Sequence, residues 1–320
     1  MELGFIVAVR VFTLGAALAL CLLAGGAMGQ NIALVISEET PIYIEIADGI
    51  RRVVDRKSIK SPKIMTVPAQ RLLSGEKDIF KTDFYQLVVT VGAHAASVVA
   101  TTDVKARVLN ALIPRALYDR LSAQGGAGRS SAIYLDQPLN RQLDLARLVV
   151  PDKSKMCVIY GPQSRMYAAE FERLASVKGF SVVAETVDHA SDLGPVLQRT
   201  LSRCEFLFAL QDAKIFNRNT IHQILMTSYH TNDPVIALSA AQVKAGALAA
   251  VFSSPEQVAL QTADAVIKIL ADAKLTLPAP QYPLYCRVSV NREVARSFAL
   301  QIGDDKDLEL ALARMAEESQ

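Results

Sequence analysis

Short apolar runs alternate with helix-like segments along most of the chain, and this alternation constrains the fold more than any other feature. Continuous apolar runs such as Ile32–Ile36 and Met156–Tyr160 are typical of parallel strands that are covered on both faces. After the first of these runs, the segment that begins at Pro41 carries apolar residues at every fourth position, as an amphipathic helix does. Strand, helix and strand at these short intervals predict right-handed βαβ units and parallel sheets.

The number of predicted strands indicates two sheets rather than one. The strands are expected at Ile32–Ile36, Lys63–Val67, Leu87–Val91, Val108–Ile113, Ala132–Leu135, Met156–Tyr160, Phe180–Ala184, Phe206–Leu210, Val235–Leu238, Leu248–Phe252 and Leu284–Val290. A single open sheet rarely exceeds about ten strands, so the set is expected to divide. The stretch Gln124–Arg129 is rich in glycine, as linkers often are, and the break between the sheets is expected there.

Composition and motifs exclude several classes of function. Lys and Arg number 34 against 32 Asp and Glu, which gives a net charge of +2 without any basic block, so nucleic-acid binding is not expected. There is no G-x-S-x-G nucleophile motif, and the glycines at 125–128 lack the Lys-Ser/Thr of a phosphate loop. The four histidines show no metal-ligand spacing. We therefore expect no enzyme activity, no cofactor and no metal site.

The first residues have the pattern of an export signal. Residues 11–29 form an uncharged apolar run after Arg10, and the run ends in the small residues around Ala27 and Gly29. This pattern predicts a signal peptide over residues 1–29 that is cleaved near Gln30, which would place the protein in the periplasm. The alternative is a retained membrane anchor, because nineteen uncharged residues are just long enough to span a bilayer.

Three cysteines follow the leader: Cys157, Cys204 and Cys286. Each lies in or beside an apolar run, and an odd number in an oxidising compartment leaves at least one unpaired. Free cysteines are often buried and behave as small apolar side chains. All three are therefore expected to be buried free thiols.

Several longer stretches carry a resemblance to a known family. They are Leu148–Tyr160, Asp233–Ser239, Val243–Val251, Gln261–Leu270 and Val290–Ala295. In their order and spacing they resemble the type I periplasmic solute-binding proteins of ABC importers, in the branch that includes tryptophan- and tyrosine-binding components. The chain departs from that family at Gly92-Ala93, where Gly-Thr is usual, and at Leu112–Arg115, which replaces a Thr-Asp-Pro-like stretch. Both departures fall in the expected ligand crevice, so an aromatic amino-acid ligand is not carried over.

The resemblance implies an α/β fold with two Rossmann-like lobes and parallel sheets, the periplasmic binding protein-like I architecture. Lobe one would comprise residues 31–132 plus 253–277, and lobe two residues 133–252 plus 278–320. A three-crossing hinge would join them near Ser131–Asp136, Leu248–Ser253 and Pro278–Tyr285. In such a fold, a ligand lies between the lobes at the carboxyl ends of the strands and is enclosed when the hinge closes.

The expected ligand contacts follow from the ends of the predicted strands. They are Ser37, Thr40, Gly92 and His94 from lobe one, and Gln163, Ser164, Asp212 and Ser239 from lobe two, with Tyr43, Tyr134 and Phe252 as flat apolar surfaces. Asp212 follows its strand directly, so its carboxylate would reach a ligand ammonium or hydroxyl with a charge-assisted hydrogen bond. The alternative for Asp212 is a helix cap.

The resemblance also implies a function. The protein would be the periplasmic solute-binding component of an ABC-type importer, a monomer that traps an amino acid-like or other small polar solute. It would deliver this small-molecule ligand to an ABC permease in the inner membrane. The alternative is an envelope module of the same fold that senses a ligand and acts on a sensor or a cell-wall partner.

Overall fold

The computed structural model describes residues 31–58, 62–74, 80, 84–126 and 128–318. The expected signal peptide over residues 1–29 and its cleavage site near Gln30 lie outside these residues. Within the described part of the chain, no helix has both the length and the apolar character needed to cross a membrane.

The first sheet holds five parallel strands and forms the core of what we call the first lobe. Its strands are β1 (Asn31–Ile36), β2 (Lys63–Pro68), β3 (Leu87–Val91), β4 (Arg107–Ile113) and β5 (Ser130–Tyr134), in the order β2-β1-β3-β4-β5. The helices α1 (Pro41–Lys57), α2 (Ala69–Leu73), α3 (Ala93–Ala100) and α4 (Arg115–Leu121) connect them. The centre of the sheet is apolar and fully buried, as the continuous runs in the sequence predict.

The second sheet holds six strands and forms the core of the second lobe. Its strands are β6 (Lys155–Tyr160), β7 (Ser181–Thr186), β8 (Phe206–Phe208), β9 (Val235–Ala237), β10 (Ala249–Phe252) and β11 (Arg287–Val290), in the order β11-β10-β9-β8-β6-β7. Only β11 runs antiparallel to its neighbour. The helices that follow α4 are α5 (Leu139–Val149), α6 (Ala168–Val177), α7 (Leu193–Leu201), α8 (Ile221–His230), α9 (Ala240–Lys244), α10 (Pro255–Ala271), α11 (Arg292–Ser297) and α12 (Asp305–Glu318).

Helix α10 returns the chain from the second lobe to the first. The sequence Ser254-Pro255-Glu256-Gln257 has the pattern of a capping box, and the helix begins with one, in which Ser254 and Gln257 exchange hydrogen bonds. It then packs on α1 so closely that a Cβ at Gly49 would come within 2.7 Å of the Ala259 side chain. The chain therefore passes between the lobes after β5, after β10 and again between α10 and β11, which agrees with the expected three-crossing hinge.

The expected break at Gln124–Arg129 is wrong. Strands β4 and β5, on either side of this stretch, are neighbours in the first sheet, with Val108 aligned to Ser130. The stretch is a tight connection, with a π-helical turn over Ser122–Gly126 and a φ of 124° at Gly125. Its glycines serve this turn rather than a linker, and the chain leaves the first lobe only after β5.

The expectation of three free thiols is also wrong. Cys157 and Cys204 form a disulfide, with Cα atoms 5.6 Å apart and a sequence separation of 47. Cys157 lies on β6, and Cys204 precedes β8, the strand that pairs with β6. This pairing brings together two cysteines that the sequence keeps apart. Cys286 is a free thiol, as expected.

Candidate functional site

The two lobes enclose a cavity of about 310 Å³ at the carboxyl ends of their strands. The first lobe contributes the ends of β4 and β5 and the start of α1, and the second lobe contributes the ends of β9 and β10. The lining residues are Ile42, Leu112, Tyr134, Leu135, Asp136, Gln137, Gln142, Gln211, Leu238, Ser239, Ala240, Ala241, Val251, Phe252, Ser253, Pro255, Val258 and Pro283. This position is the usual one for a ligand in open α/β sheets.

The wall of the cavity is mainly apolar. Leu112 and Tyr134 lie on the first lobe's side, and Leu238 and Phe252 lie on the second. Tyr134 packs edge-on against Tyr282 at a ring-centroid distance of 5.1 Å. Burial raises the pKa of Tyr134 to about 12, so this phenol stays neutral over the physiological range. The cavity therefore offers flat, uncharged surface on both of its sides.

Glutamine and serine side chains join the hinge crossings beside the cavity. The Nε2 of Gln137 donates a hydrogen bond to the Oγ of Ser253 at 2.9 Å, which ties the first crossing to the second. The Oγ of Ser253 in turn donates to the carbonyl oxygen of Tyr285 at 2.7 Å, on the third crossing. Gln142, from the first turn of α5, donates to the backbone of Gln137 at 2.9 Å. These bonds hold the floor of the cavity and leave Gln211 and Ser239 as further polar groups on its wall.

Asp136 is the one charged side chain among the described residues that line this cavity. It lies two residues after the end of β5, and its Oδ2 accepts a hydrogen bond from the backbone N–H of Arg115 at 2.8 Å. Burial raises the pKa of its carboxyl from 3.8 to about 6, against the opposing effect of Arg115. Asp136 is not among the contacts expected from the sequence, because the stretch Ser131–Asp136 was expected only as a hinge crossing. The signal was available, since Asp136 follows a strand end just as Asp212 does.

Three of the expected contacts line the cavity: Tyr134, Ser239 and Phe252. Ser239 also caps α9, where its Oγ accepts a hydrogen bond from the backbone N–H of Gln242. The other expected contacts form two clusters, with two further residues at helix starts beside the first of them.

One cluster lies at the start of the first lobe. The Oγ of Ser37 donates to the carbonyl oxygen of Val91 at 3.0 Å and accepts from the backbone N–H of Ala95 at 3.0 Å. Gly92 has a φ of 96°, and a Cβ there would overlap Ser37 and the ring of Tyr43. Ser37, Tyr43 and Gly92 therefore meet as expected, but Ser37 is engaged in joining β1 to β3 and α3.

Thr40 and His94 lie beside this cluster at helix starts. Thr40 precedes α1 as its N-cap residue, although its side chain makes no capping hydrogen bond. His94 is an exposed residue in the first turn of α3. Neither residue lines the cavity between the lobes.

The second cluster is centred on Asp212, which is completely buried. Its Oδ2 accepts hydrogen bonds from the backbone N–H groups of Gln163 and Ser164, at 2.8 and 2.9 Å, and from the Ser164 Oγ at 3.0 Å. Its Oδ1 accepts from the backbone N–H of Lys214 at 2.9 Å. The sequence correctly brings Gln163, Ser164 and Asp212 together. However, the hydrogen bonds of this carboxylate hold the loop after β6 against the segment after β8. Asp212 is therefore engaged within the second lobe and does not line the cavity.

The lobes also make direct polar contacts beside the cavity. Arg115 on α4 donates from Nη1 to the Oε2 of Glu170 on α6 at 3.1 Å, and its guanidinium lies 4.4 Å from the ring centre of Tyr167. The Oη of Tyr167 donates to the Oδ2 of Asp119 at 2.7 Å. Arg115 also donates to the Oη of Tyr282 on the third crossing at 2.7 Å. We call this set the interlobe clasp: Arg115, Asp119, Tyr167, Glu170 and Tyr282.

Metal binding is not indicated by the geometry. Within the described ranges, no group of three or more His, Cys, Asp and Glu side chains is placed to hold an ion. The candidate functional site therefore consists of the cavity, the hinge crossings beside it and the interlobe clasp.

Similar solved structures share this two-lobed fold. An ABC domain from Streptococcus pneumoniae in complex with L-Trp is 17% identical, has a TM-score of 0.65, and is matched over 88% of this chain and 98% of its own. A ligand-free, open substrate-binding protein with adhesive properties from Clostridium difficile is 15% identical and has a TM-score of 0.68. The match covers 87% of this chain and 97% of that protein. A solute-binding protein from Bacillus halodurans with bound myo-inositol is 12% identical, with a TM-score of 0.51 and 86% and 99% covered.

These likenesses confirm the expected fold of two α/β lobes with mostly parallel sheets. No curated protein matches the chain by sequence. The model of the family described as ABC transporter substrate binding protein matches residues 31–305. Because this match spans most of the sequence, the chain belongs to the ABC transporter substrate-binding protein family, which is a family of binding proteins rather than of enzymes.

Proposed function

We propose that the protein is the solute-binding component of an ABC importer, and that it works outside the cytoplasm as a monomer. It binds one small molecule between its lobes and delivers this ligand to a permease in the inner membrane. The observation that carries this proposal is the cavity of about 310 Å³, which both lobes and the hinge crossings build together. Its volume lies at the lower end of the range of about 300–1,000 Å³ that is usual for ligand pockets.

The expected lobes, residues 31–132 plus 253–277 and residues 133–252 plus 278–320, would move as two bodies about the hinge. The bonds among Gln137, Ser253 and Tyr285 would keep the crossings together during this movement. Closure would bring the apolar walls onto the ligand and remove water from the cavity, which strengthens each polar contact inside it. The interlobe clasp would add contacts that form only when the lobes are close.

The proposal is tested with the purified chain from residue 30 onward. A thermal-shift screen against amines, amino acids, polyols and small acids should find a compound that raises the melting temperature, because a ligand of the folded state adds stability. Small-angle scattering should then show a smaller radius of gyration with that compound. If no compound raises the melting temperature or changes the scattering, the proposal of solute capture is wrong.

Delivery and export require their own experiments. The liganded protein should stimulate ATP hydrolysis by a reconstituted ABC permease more than the ligand-free protein does. Binding without stimulation of any ABC permease from the same cell would instead favour the sensing module. For export, mass spectrometry of the native protein should give an N-terminus near Gln30, and an intact leader would show that the segment is retained.

A further inference from the structure

Asp136 lies where two cavities meet. Besides the main cavity, a pocket of about 30 Å³ extends between the hinge and the interlobe clasp. Both are lined by Asp136, Gln137, Gln142 and Gln211. A ligand that fills the main cavity therefore faces a carboxylate at the end nearer the interlobe clasp.

The charges around this point favour one kind of ligand. Among the described residues that line the main cavity, none has a cationic side chain. Arg115 lines only the small pocket, and its guanidinium is engaged by Glu170 and Tyr282 at 3.1 and 2.7 Å. Arg141 lies behind the wall of the main cavity, where its guanidinium donates to the Oε1 of Gln137 at 2.7 Å and to the carbonyl oxygen of Pro283 at 3.0 Å. A carboxylate on the ligand would therefore meet the negative charge of Asp136 without a free cation to offset it, and burying an unpaired charge is costly.

The rest of the wall excludes a heavily hydroxylated ligand. Leu112, Tyr134, Leu238, Phe252 and Val258 present carbon surface. Most polar side chains of the wall already make hydrogen bonds within the protein, namely Gln137, Gln142, Ser239 and Ser253, which leaves few polar groups for a ligand. A polyol would have to give up more hydrogen bonds to water than these groups can replace, and each unsatisfied group costs about 1–3 kcal/mol by the general behaviour of buried polar groups. An apolar ring or chain, in contrast, gains by leaving water.

We propose, on the assumption that the protein captures a solute as set out above, that its ligand is a small, mainly apolar amine. The basic nitrogen binds the carboxylate of Asp136, the apolar part lies between Tyr134 and Phe252, and the ligand carries no carboxylate. Asp136 is thus the residue that determines specificity. It takes the role that was expected of Asp212.

The state of the carboxyl in the ligand-free protein agrees with this assignment. Burial disfavours its ionised form and the carboxylate of Asp119 opposes it too, while the backbone N–H groups of Arg115 and Asp136 and the charge of the Arg115 guanidinium favour it. The pKa of Asp136 stays raised despite Arg115, so a ligand cation beside Asp136 would add further positive charge and stabilise the ionised carboxylate. Each charge-assisted hydrogen bond of this kind is about twice as strong as a neutral one.

The test is a matched series of compounds on the wild-type protein, with binding measured by titration calorimetry. Tryptamine and phenethylamine are each compared with the corresponding alcohol (tryptophol, 2-phenylethanol), carboxylate (indole-3-propionate, 3-phenylpropionate) and amino acid (L-tryptophan, L-phenylalanine). At least one amine should bind at least about tenfold more tightly than the alcohol, the carboxylate and the amino acid of its series. The reason is that only the amine places a lone positive charge in a hydrogen bond with the carboxylate of Asp136. Equal or tighter binding of the amino acid or the carboxylate would overturn the inference and leave solute capture intact.

A variant identifies the residue responsible. Asp136→Asn should reduce the affinity for the amine by about tenfold or more. The ratio of the affinities for the amine and the alcohol should therefore fall as well. Asp152→Asn, in the exposed turn at the far end of α5, is the matched control and should bind as the wild type does. An unchanged amine affinity in Asp136→Asn would overturn the assignment. If no member of either series binds, and the broader screen also finds no ligand, solute capture itself fails.

Discussion

Arg115 and Glu170 join the two lobes directly, with the Nη1 of one donating to the Oε2 of the other at 3.1 Å. Arg115 lies at the first lobe's edge of the cavity, and Glu170 lies on the helix that follows β6 in the second lobe. Together with the hydrogen bond from Tyr167 to Asp119, this pair connects the lobes outside the hinge crossings, so it helps to set how far the cavity opens.

Loss of this pair should open the lobes. Arg115→Met keeps the apolar stem but removes the bonds to Glu170 and Tyr282, so the radius of gyration measured by small-angle scattering should increase. The free energy of unfolding should change by less than about 1 kcal/mol, because the pair is partly exposed.

Arg199→Met is the matched control for the interlobe pair. It removes an ion pair of 3.3 Å with Glu185 that lies wholly within the second lobe. Its scattering should match that of the wild type. An equal increase in both variants would mean that Arg115 does not set the distance between the lobes.

Asp212→Asn should lower stability rather than ligand affinity. The Asp212 carboxylate accepts hydrogen bonds from three backbone N–H groups and the Oγ of Ser164. An amide has only one accepting oxygen, so at least one buried N–H would lose its partner, at a cost of about 1–3 kcal/mol. Urea unfolding measures this loss, with Asp152→Asn as the control. A change in affinity without a change in stability would return Asp212 to the ligand site.

The disulfide changes the expected count of thiols. Under denaturing, non-reducing conditions, only Cys286 among the three cysteines after residue 30 should react, since Cys157 and Cys204 are bonded. Replacing both bonded cysteines with serine should cost roughly 2–4 kcal/mol, because the bond closes a long loop in the unfolded chain. Three reactive thiols in the untreated protein would contradict the structure.

Asp136 should make stability depend on pH. Burial raises the pKa of its carboxyl from 3.8 to about 6, so the folded protein holds this proton more tightly than the unfolded chain does. Its contribution to stability is therefore complete below about pH 4 and is lost as the pH rises through 6.

Asp136→Asn removes this titration, and the backbone N–H of Arg115 keeps an oxygen acceptor. As the pH rises from about 4 to about 7.5, the wild type should lose roughly 2 kcal/mol of its free energy of unfolding that the variant does not lose. The variant is therefore more stable relative to the wild type at the higher pH than at the lower one. Urea unfolding at the two pH values measures the difference. A difference that stays constant with pH would show that the carboxyl has an ordinary pKa.

Much of the fold follows from local sequence patterns. Apolar runs locate the strands of both sheets to within a few residues, and Ser254 correctly predicts the start of α10. The C-terminal helix α12 was not foreseen, although its buried residues Leu308 and Leu312 are spaced by four. The glycines after Gln124 led to a wrong prediction of the break between the sheets. Glycine-rich composition indicates a bend, but it does not show whether the strands on either side pair with each other, as β4 and β5 do.

The site was predicted less well because its geometry depends on side-chain direction. The rule of strand ends selected Ser239 and Phe252, which line the cavity, and it selected Asp212, which lies close to the same edge of the sheet but faces its own loop. It does not say whether a side chain faces the cavity or its own loop, and at Asp212 the nearby N–H groups decide this. The disulfide was missed for a similar reason, since only the pairing of β6 with β8 brings its cysteines together.

A ligand between the lobes is the central expectation, and a crystal structure with the tightest-binding compound of the amine series tests it directly. We expect the ligand beside Tyr134 and Phe252, with its nitrogen within hydrogen-bond distance of Asp136. The first lobe offers a different cavity of about 250 Å³, which lies between α3 and α4 and is lined by Ala96, Asn110 and Tyr118. A ligand in that cavity, with none between the lobes, would contradict the account.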